Sequence, residues 1–222
     1  MSVLLLRAKD IYRMEGLISL LRTSFDYVRR RVFEYRSYYL YEIPTGELDE
    51  ADFLPQIGNF MFKVISSNEE ADELAASFGF DLRQRFIDAK KRLDKGAIAF
   101  CIFVGKEFAN IGWVSLSEEA KKTLDPLPLK VDFAANEAYV GAVETSPKYR
   151  NNRLMKYGSF KRRQFLRTKG IRLLRSAVAE SNTAPKRVNV RLGGRIYAKA
   201  RYVKILWWNY WKENPLTQSN KT

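Results

Sequence analysis

Between Leu4 and Tyr35 apolar residues recur at helical spacing. Leu4, Ile11, Ile18, Phe25 and Val32 stand seven apart, and Met14, Leu21 and Val28 fill the complementary rows, which predicts one amphipathic helical stripe with a bend at Gly16. The aromatic cluster Tyr35, Tyr38, Tyr39 and Tyr41 predicts an extended segment after it, and Pro44, Gly46 and the acidic stretch Glu47 to Asp52 read as a linker. From Asn59 the pattern changes to alternation, Phe60, Phe62, Val64 and Ser66 against Met61, Lys63 and Ile65, a strand that is largely apolar on both faces. Ser67 is placed to cap a helix opened by Glu69, Glu70 and Asp72, acids suited to a helix N-terminus. That helix breaks near Gly79, runs on to about Leu93 and is ended by Gly96.

Ala97 to Val104 and Ile111 to Leu116 read as an antiparallel strand pair joined by Gly105 to Asn110. Glu118 to Asn136, interrupted by Pro126 and Pro128, predicts a short helix and a long loop with a strand near Val131. Glu137 to Thr145 is the next strand, broken by Ser146 and Pro147. Asn151 to Lys169 follows as a helix whose Leu154, Tyr157, Gly158, Phe165 and Leu166 share roughly one face, with Gly170 as its stop. Ile171 to Ala179 is a strand, Thr183 to Leu192 a short helix ended by Gly193 and Gly194, and Ile196 to Trp208 a closing strand pair or one long bent strand. The order is that of an α+β domain around a mixed sheet. It divides the chain into a helical extension and linker over 1–52, the domain over 53–214, and a polar tail over 215–222.

Composition narrows the chemistry. No histidine is present, which removes the commonest general base and the usual metal ligand, and leaves carboxylates, Tyr, Lys or water for proton transfer. The lone Cys101 lies in an apolar run and reads as a small core residue; it fits a reducing, cytoplasmic setting. The 39 Lys and Arg against 25 Asp and Glu give a net charge of +14. Between Pro147 and Lys212 stand 19 of those cations against one acid, Glu180, so a polyanionic group is expected on the C-terminal half. No apolar run reaches the length of a membrane span, and Arg7, Lys9 and Asp10 interrupt the first apolar patch.

The unit that carries chemistry is the strand Glu137 to Thr145, the turn Pro147 to Asn152, the helix from Arg153, and the next strand closed by Ser181 and Asn182. Exposed amides and the positive end of the helix dipole favour a diphosphate at such a turn. Over about two thirds of the chain this unit resembles the GNAT (Gcn5-related N-acetyltransferase) superfamily, of which the chain reads as a divergent member. The resemblance implies a GNAT-like, mostly antiparallel central sheet flanked by helices. It also implies acetyl-CoA, a coenzyme A thioester, as co-substrate, with no metal. The family turn has the form Arg/Gln-x-x-Gly-x-Gly/Ala; here it is Arg150, Asn151, Asn152, Arg153, Leu154 and Met155, so Arg150 matches while Arg153 and Met155 replace both glycines. Lys156, with Arg150 and Arg153, can offset lost amide contacts by charge. Asn182 matches the family Asn that follows the second strand, and the family's general-acid Tyr falls on Asn189. By the same resemblance, backbone groups of Val143 and Thr145 meet the thioester carbonyl and the pantetheine arm. The family's base position falls on Tyr139, and Glu137, two residues earlier on the same strand face, is the candidate base.

The expected function is therefore transfer of an acyl group, acetyl first, from acyl-CoA to a primary amine of a small molecule or protein by direct attack. Two other readings stay open: a CoA-binding relative without turnover, and a basic nucleic-acid-binding module in which Tyr202, Trp207, Trp208, Tyr210 and Trp211 stack bases. No recognisable nucleic-acid motif accompanies those aromatics, so nucleic acid is not the expected partner. For the N-terminal stripe the candidate partners are the domain itself, a second copy in a homodimer, or the inner membrane face through residues 1–41.

Overall fold

The computed structural model describes residues 8–9, 11–13, 16–19, 21, 23–25 and 32–216. Eight strands form one sheet: β1 Phe33–Pro44, β2 Phe60–Ile65, β3 Ile98–Val104, β4 Glu107–Ser115, β5 Glu137–Thr145, β6 Leu173–Ala179, β7 Arg195–Ile205 and β8 Trp208–Pro215. Their order is β2-β3-β4-β5-β6-β1-β7-β8, and all neighbours are antiparallel except β5 and β6. The helices are α1 Asn68–Phe78, α2 Leu82–Arg85, α3 Ala89–Asp94, α4 Glu118–Leu124, α5 Leu154–Thr168 and α6 Thr183–Arg191. One face of the sheet packs Leu74, Leu82, Leu93, Ala120 and Leu124 of α1 to α4 against Ala99, Cys101, Ile111, Trp113 and Tyr139. The other face packs Phe160 and Leu166 of α5 against Phe100, Val114, Ala138 and Leu174. This is the expected α+β architecture.

Local chemistry accounts for most boundaries. The Ser67 hydroxyl accepts from the Glu70 amide at the start of α1, and Gly79, at φ 66°, closes it where the break was expected. The segment after Gly79 refolds into two short helices, with the Asp81 carboxylate capping α2. Between α4 and β5 there is a loop with a 3-10 turn at Phe133–Ala135, and the strand expected near Val131 is absent. The closing segment is a hairpin, β7 and β8, whose register pairs Ile205 with Trp208. Cys101 is fully buried in β3, and burial pushes its thiol up to about 12, which suits a packing residue.

The division at residue 52 is corrected by the sheet. β1 lies between β6 and β7, paired along both edges, with Leu40, Tyr41 and Ile43 buried. The sheet therefore begins at Phe33, and only the helical segment before it is an extension. The stripe positions Leu4, Met14 and Val28 lie outside the described residues. So do residues 217–222 of the expected tail, while Pro215 closes β8. Gly16 has a φ of 83°, a left-handed value at the position of the expected bend, and residues 14–15 before it lie outside the described residues. Among the described residues no helix is long and apolar enough to cross a membrane.

Candidate functional site

The site begins where two parallel strands part. β5 and β6 pair only through Glu137 with Leu173, Ala138 with Leu174 and Tyr139 with Arg175. Beyond that point β6 follows β1 and β5 follows β4, so a wedge opens between Val140 to Thr145 and Ser176 to Ala179. A groove of about 150 Å³ lies in it, lined by Val140, Ala142, Val143, Met155, Arg162, Val178, Asn182 and Asn189 among others. Unpaired strand edges leave backbone donors and acceptors without ladder partners, and a ligand can take them.

A bulge re-aims β5 at the mouth of this wedge. The β4 to β5 register slips between Ile111 and Trp113, and Ala142 there adopts a φ of 48°. Before the bulge Tyr139 shares the face of Trp113; after it Glu144 lies opposite Ile111 on that same face, which packs against α1 to α4. Asn110 fixes the far end, donating from Nδ2 to the Glu144 carbonyl at 3.0 Å and the Thr145 hydroxyl at 2.8 Å.

The turn after β5 is pinned by Glu107, which accepts from Lys148 Nζ at 2.6 Å and from the Tyr149 hydroxyl at 2.7 Å. Asn151 and Arg153 both sit in the left-handed region, at φ 68° and 60°. Arg153 thus holds, as the N-cap of α5, the backbone conformation that glycine adopts freely, at a strain cost of about 1–2 kcal/mol. No side chain caps α5, and the first intrahelical bond runs from the Tyr157 amide to the Arg153 carbonyl, so the amides of Leu154, Met155 and Lys156 are the orphan donors of the first turn. The Asn152 amide donates to the Tyr149 and Arg150 carbonyls and shapes the turn; Leu154 is core, and Arg150 is exposed. Lys156 points its ammonium at the Asp52 carbonyl and over the Phe53 ring at 4.9 Å. Desolvation, then Arg191 and Arg153, lower its pKa. A polar cleft lined by Arg153, Lys156, Arg191 and Asp52 lies beside this helix start.

Two residues that line the groove carry buried donors without protein partners. Asn189 Nδ2 is one. The other is Nη1 of Arg162, a guanidinium that burial pushes down to about 10 and that donates only from Nη2 to the Ser159 hydroxyl at 2.7 Å. It crosses β4 at Gly112, where an added Cβ would stand 2.0 Å from Nη1. Arg162 lies nine residues along α5 from Arg153, about 13 Å at the rise of an α-helix.

The strand carboxylate expected as base is spent elsewhere. Glu137 sits at the paired end of β5, receives Arg175 Nε at 2.9 Å and Nη2 at 2.5 Å, and accepts the Asp132 amide at 3.0 Å. Burial raises its pKa, but Arg175 and that amide outweigh it and hold the carboxyl below its usual range. It is a structural ion pair, not a poised base. Tyr139 is fully buried and bonds Asp125 through its hydroxyl; desolvation first, then Asp125, push its pKa well up. Neither reaches the wedge. The carboxylate beside it on the α1 to α4 face is Glu144, paired with Arg85 at 3.5 Å. Glu144, Arg162 and Arg191 were not singled out in the sequence.

The architecture recurs in solved structures. A GCN5-related N-acetyltransferase from Sphaerobacter thermophilus matches at 14% identity and a TM-score of 0.50, over 90% of this chain and 57% of that one. A tandem GNAT protein from the clavulanic acid biosynthesis pathway matches at 18% and 0.50, over 83% and 55%. A GCN5-related glucosamine N-acetyltransferase region of a fungal multi-domain β-N-acetylglucosaminidase matches at 11% and 0.51, over 88% and 23%. The chain spans little more than half the length of the first two. No family model and no curated protein matches the sequence. At such identities the likeness establishes the fold, and the chain is a GNAT-fold protein of divergent sequence.

Proposed function

We propose that the chain is an acyl-CoA-dependent N-acyltransferase that carries an acyl group, acetyl first, to a primary amine. The observation that supports it most is the wedge between β5 and β6, with a bulge at Ala142 on one wall and the uncapped start of α5 at its mouth. The residues present fit a CoA thioester, since Arg162 Nη1 and Asn189 Nδ2 are buried donors awaiting an acceptor. The α5 amides, with Arg153, Lys156 and Arg191, hold the diphosphate by charge-assisted bonds. Val143 and Thr145 align the pantetheine arm through their backbone, and Asn189 and Arg162 meet the thioester end.

The acceptor enters from the α1 to α4 face, where Glu144 takes the proton from its ammonium. The freed amine forms the C–N bond as the C–S bond breaks, and the nitrogen's surplus proton passes through water to the departing sulfur, which leaves as the thiol beside the two donors. Thiol release from acetyl-CoA over an amine library tests the reading. Amine-dependent release supports it, and CoA binding with no release from any thioester or amine favours the inactive relative.

A further inference from the structure

The β7 to β8 hairpin ends in the tight turn Leu206–Trp207, with Trp207 87% exposed and Ile205, Leu206, Trp208 and Tyr210 also exposed. The helical segment that precedes β1 arrives at this tip: the Leu206 amide donates to the Val32 carbonyl at 2.7 Å, and Phe33 pairs with Ile205. Val32, Phe33 and Tyr35 are exposed beside it. On the helical segment Leu17, Ile18, Leu21 and Phe25 share one side by their spacing, and Ile18 and Phe25 are 83% and 69% exposed. The domain therefore leaves Leu17, Ile18, Leu21 and Phe25 of its N-terminal segment uncovered, and the hairpin tip extends that apolar surface. Trp211, by contrast, packs on Tyr38 and Tyr202, so the exposure of Trp207 and Trp208 is specific to the tip.

Charge identifies the occupant. No acid stands between Val203 and Lys212, and the basic residues around the tip are Lys204, Arg36, Arg201 and Lys212. The nearby Glu34 is tied to Arg36 at 3.0 Å, and Glu213 accepts from the Trp211 indole. Over residues 1–41 the sequence carries eight Lys and Arg against four Asp and Glu. Exposed Trp and Tyr ringed by cations suit the boundary between headgroups and acyl chains. A second copy would need a regular helical seam, which a left-handed φ at Gly16 does not suit. We propose that this tip and the apolar side of the N-terminal helical segment form a docking surface for membranes rich in anionic lipid.

The placement bears on the acceptor. β1 runs five residues, Phe33 to Ser37, past its pairing with β6, about 17 Å of strand. It extends past the C-terminal end of β6, the end at which the wedge opens, so tip and wedge face the same edge of the sheet. If the acyltransfer reading holds, the acceptor amine belongs to a lipid or a lipid-linked molecule; the docking surface itself does not depend on that reading.

Co-sedimentation of the full chain with neutral phosphatidylcholine vesicles, and with the same vesicles containing phosphatidylglycerol, tests the proposal. Binding is expected to be at least about tenfold tighter to the anionic vesicles and to weaken with salt. Paired Trp207→Ser and Trp208→Ser changes, at exposed positions that leave the fold intact, should reduce it about tenfold, as should Ile18→Ser with Phe25→Ser. Equal affinity for both vesicles, no binding, or binding indifferent to both variant pairs overturns it. A dimer in light scattering that Ile18→Ser with Phe25→Ser dissociates, or RNA binding that anionic vesicles fail to compete, overturns it in favour of a protein or nucleic-acid surface.

Discussion

Arg162→Met separates a ligand-binding guanidinium from a structural one. The wild-type side chain is fully buried, makes one hydrogen bond, to Ser159, and has no carboxylate beside it. Burial pushes its pKa down to about 10. Against an ordinary guanidinium range of about 12.5–13.8, that corresponds to a folding penalty on the order of 3 kcal/mol. Methionine keeps the apolar stem and removes the charge, while the lost hydrogen bond returns about 1 kcal/mol. The net gain of about 2 kcal/mol is worth a rise in Tm of about 4–8 °C for a chain of this size. The sign follows from linkage: unfolding restores a normal pKa, so the penalty is complete below pH 10 and fades only above it. The gap between variant and wild type should therefore stay flat from about pH 6 to 9. Scanning calorimetry without ligand reads the gain, and a second scan with acetyl-CoA should stabilise the wild type more than the variant. A variant Tm at or below the wild type would refute the reasoning, because Nη1 would then have a partner worth more than its desolvation.

Three further outcomes follow from the same geometry. Glu144→Gln should lower turnover about a hundredfold with acetyl-CoA affinity unchanged in calorimetry, and near-normal turnover removes Glu144 as base. Glu137→Gln should destabilise the fold by roughly 3 kcal/mol in urea, since it leaves Arg175 in a half-broken buried pair. Because that carboxyl is held low in the native state, its contribution is present above the unfolded carboxylate pKa and lost as pH falls through the folded one; the variant should show a shallower acid limb. Arg153→Glu should weaken coenzyme A at least about tenfold and flatten its salt dependence, whereas Arg153→Gly relieves the left-handed strain and should raise Tm while weakening coenzyme A less.

Elements with strong local signals were legible in the sequence. Ser67 with its following acids, Gly79, and the strand, turn and helix around Pro147 carry their own caps and breaks, and all three fall where expected. β1 was not legible as sheet, because its tyrosine-rich run follows a helix directly and its partners lie more than 100 residues away in β6 and β7. The role of Glu137 was hidden for a related reason: Arg175, 38 residues on, meets it only through the parallel pairing of β5 and β6. Glu144 was missed because simple alternation puts it opposite Glu137 and Tyr139, and the bulge at Ala142 reverses that parity. Arg162 did leave a signal. It stands four residues after Gly158 on the apolar side of α5, where a lone cation calls for a partner.

Hydrogen–deuterium exchange with and without acetyl-CoA tests the central claim most directly, because it reads the backbone groups assigned to the ligand. Protection is predicted in two separated segments, Val143 to Thr145 beyond the bulge and Leu154 to Lys156 at the start of α5, with the β7 to β8 tip unchanged. Protection absent from both segments at saturating acetyl-CoA, or confined to another part of the sheet, would contradict the assignment of the wedge as an acyl-CoA site.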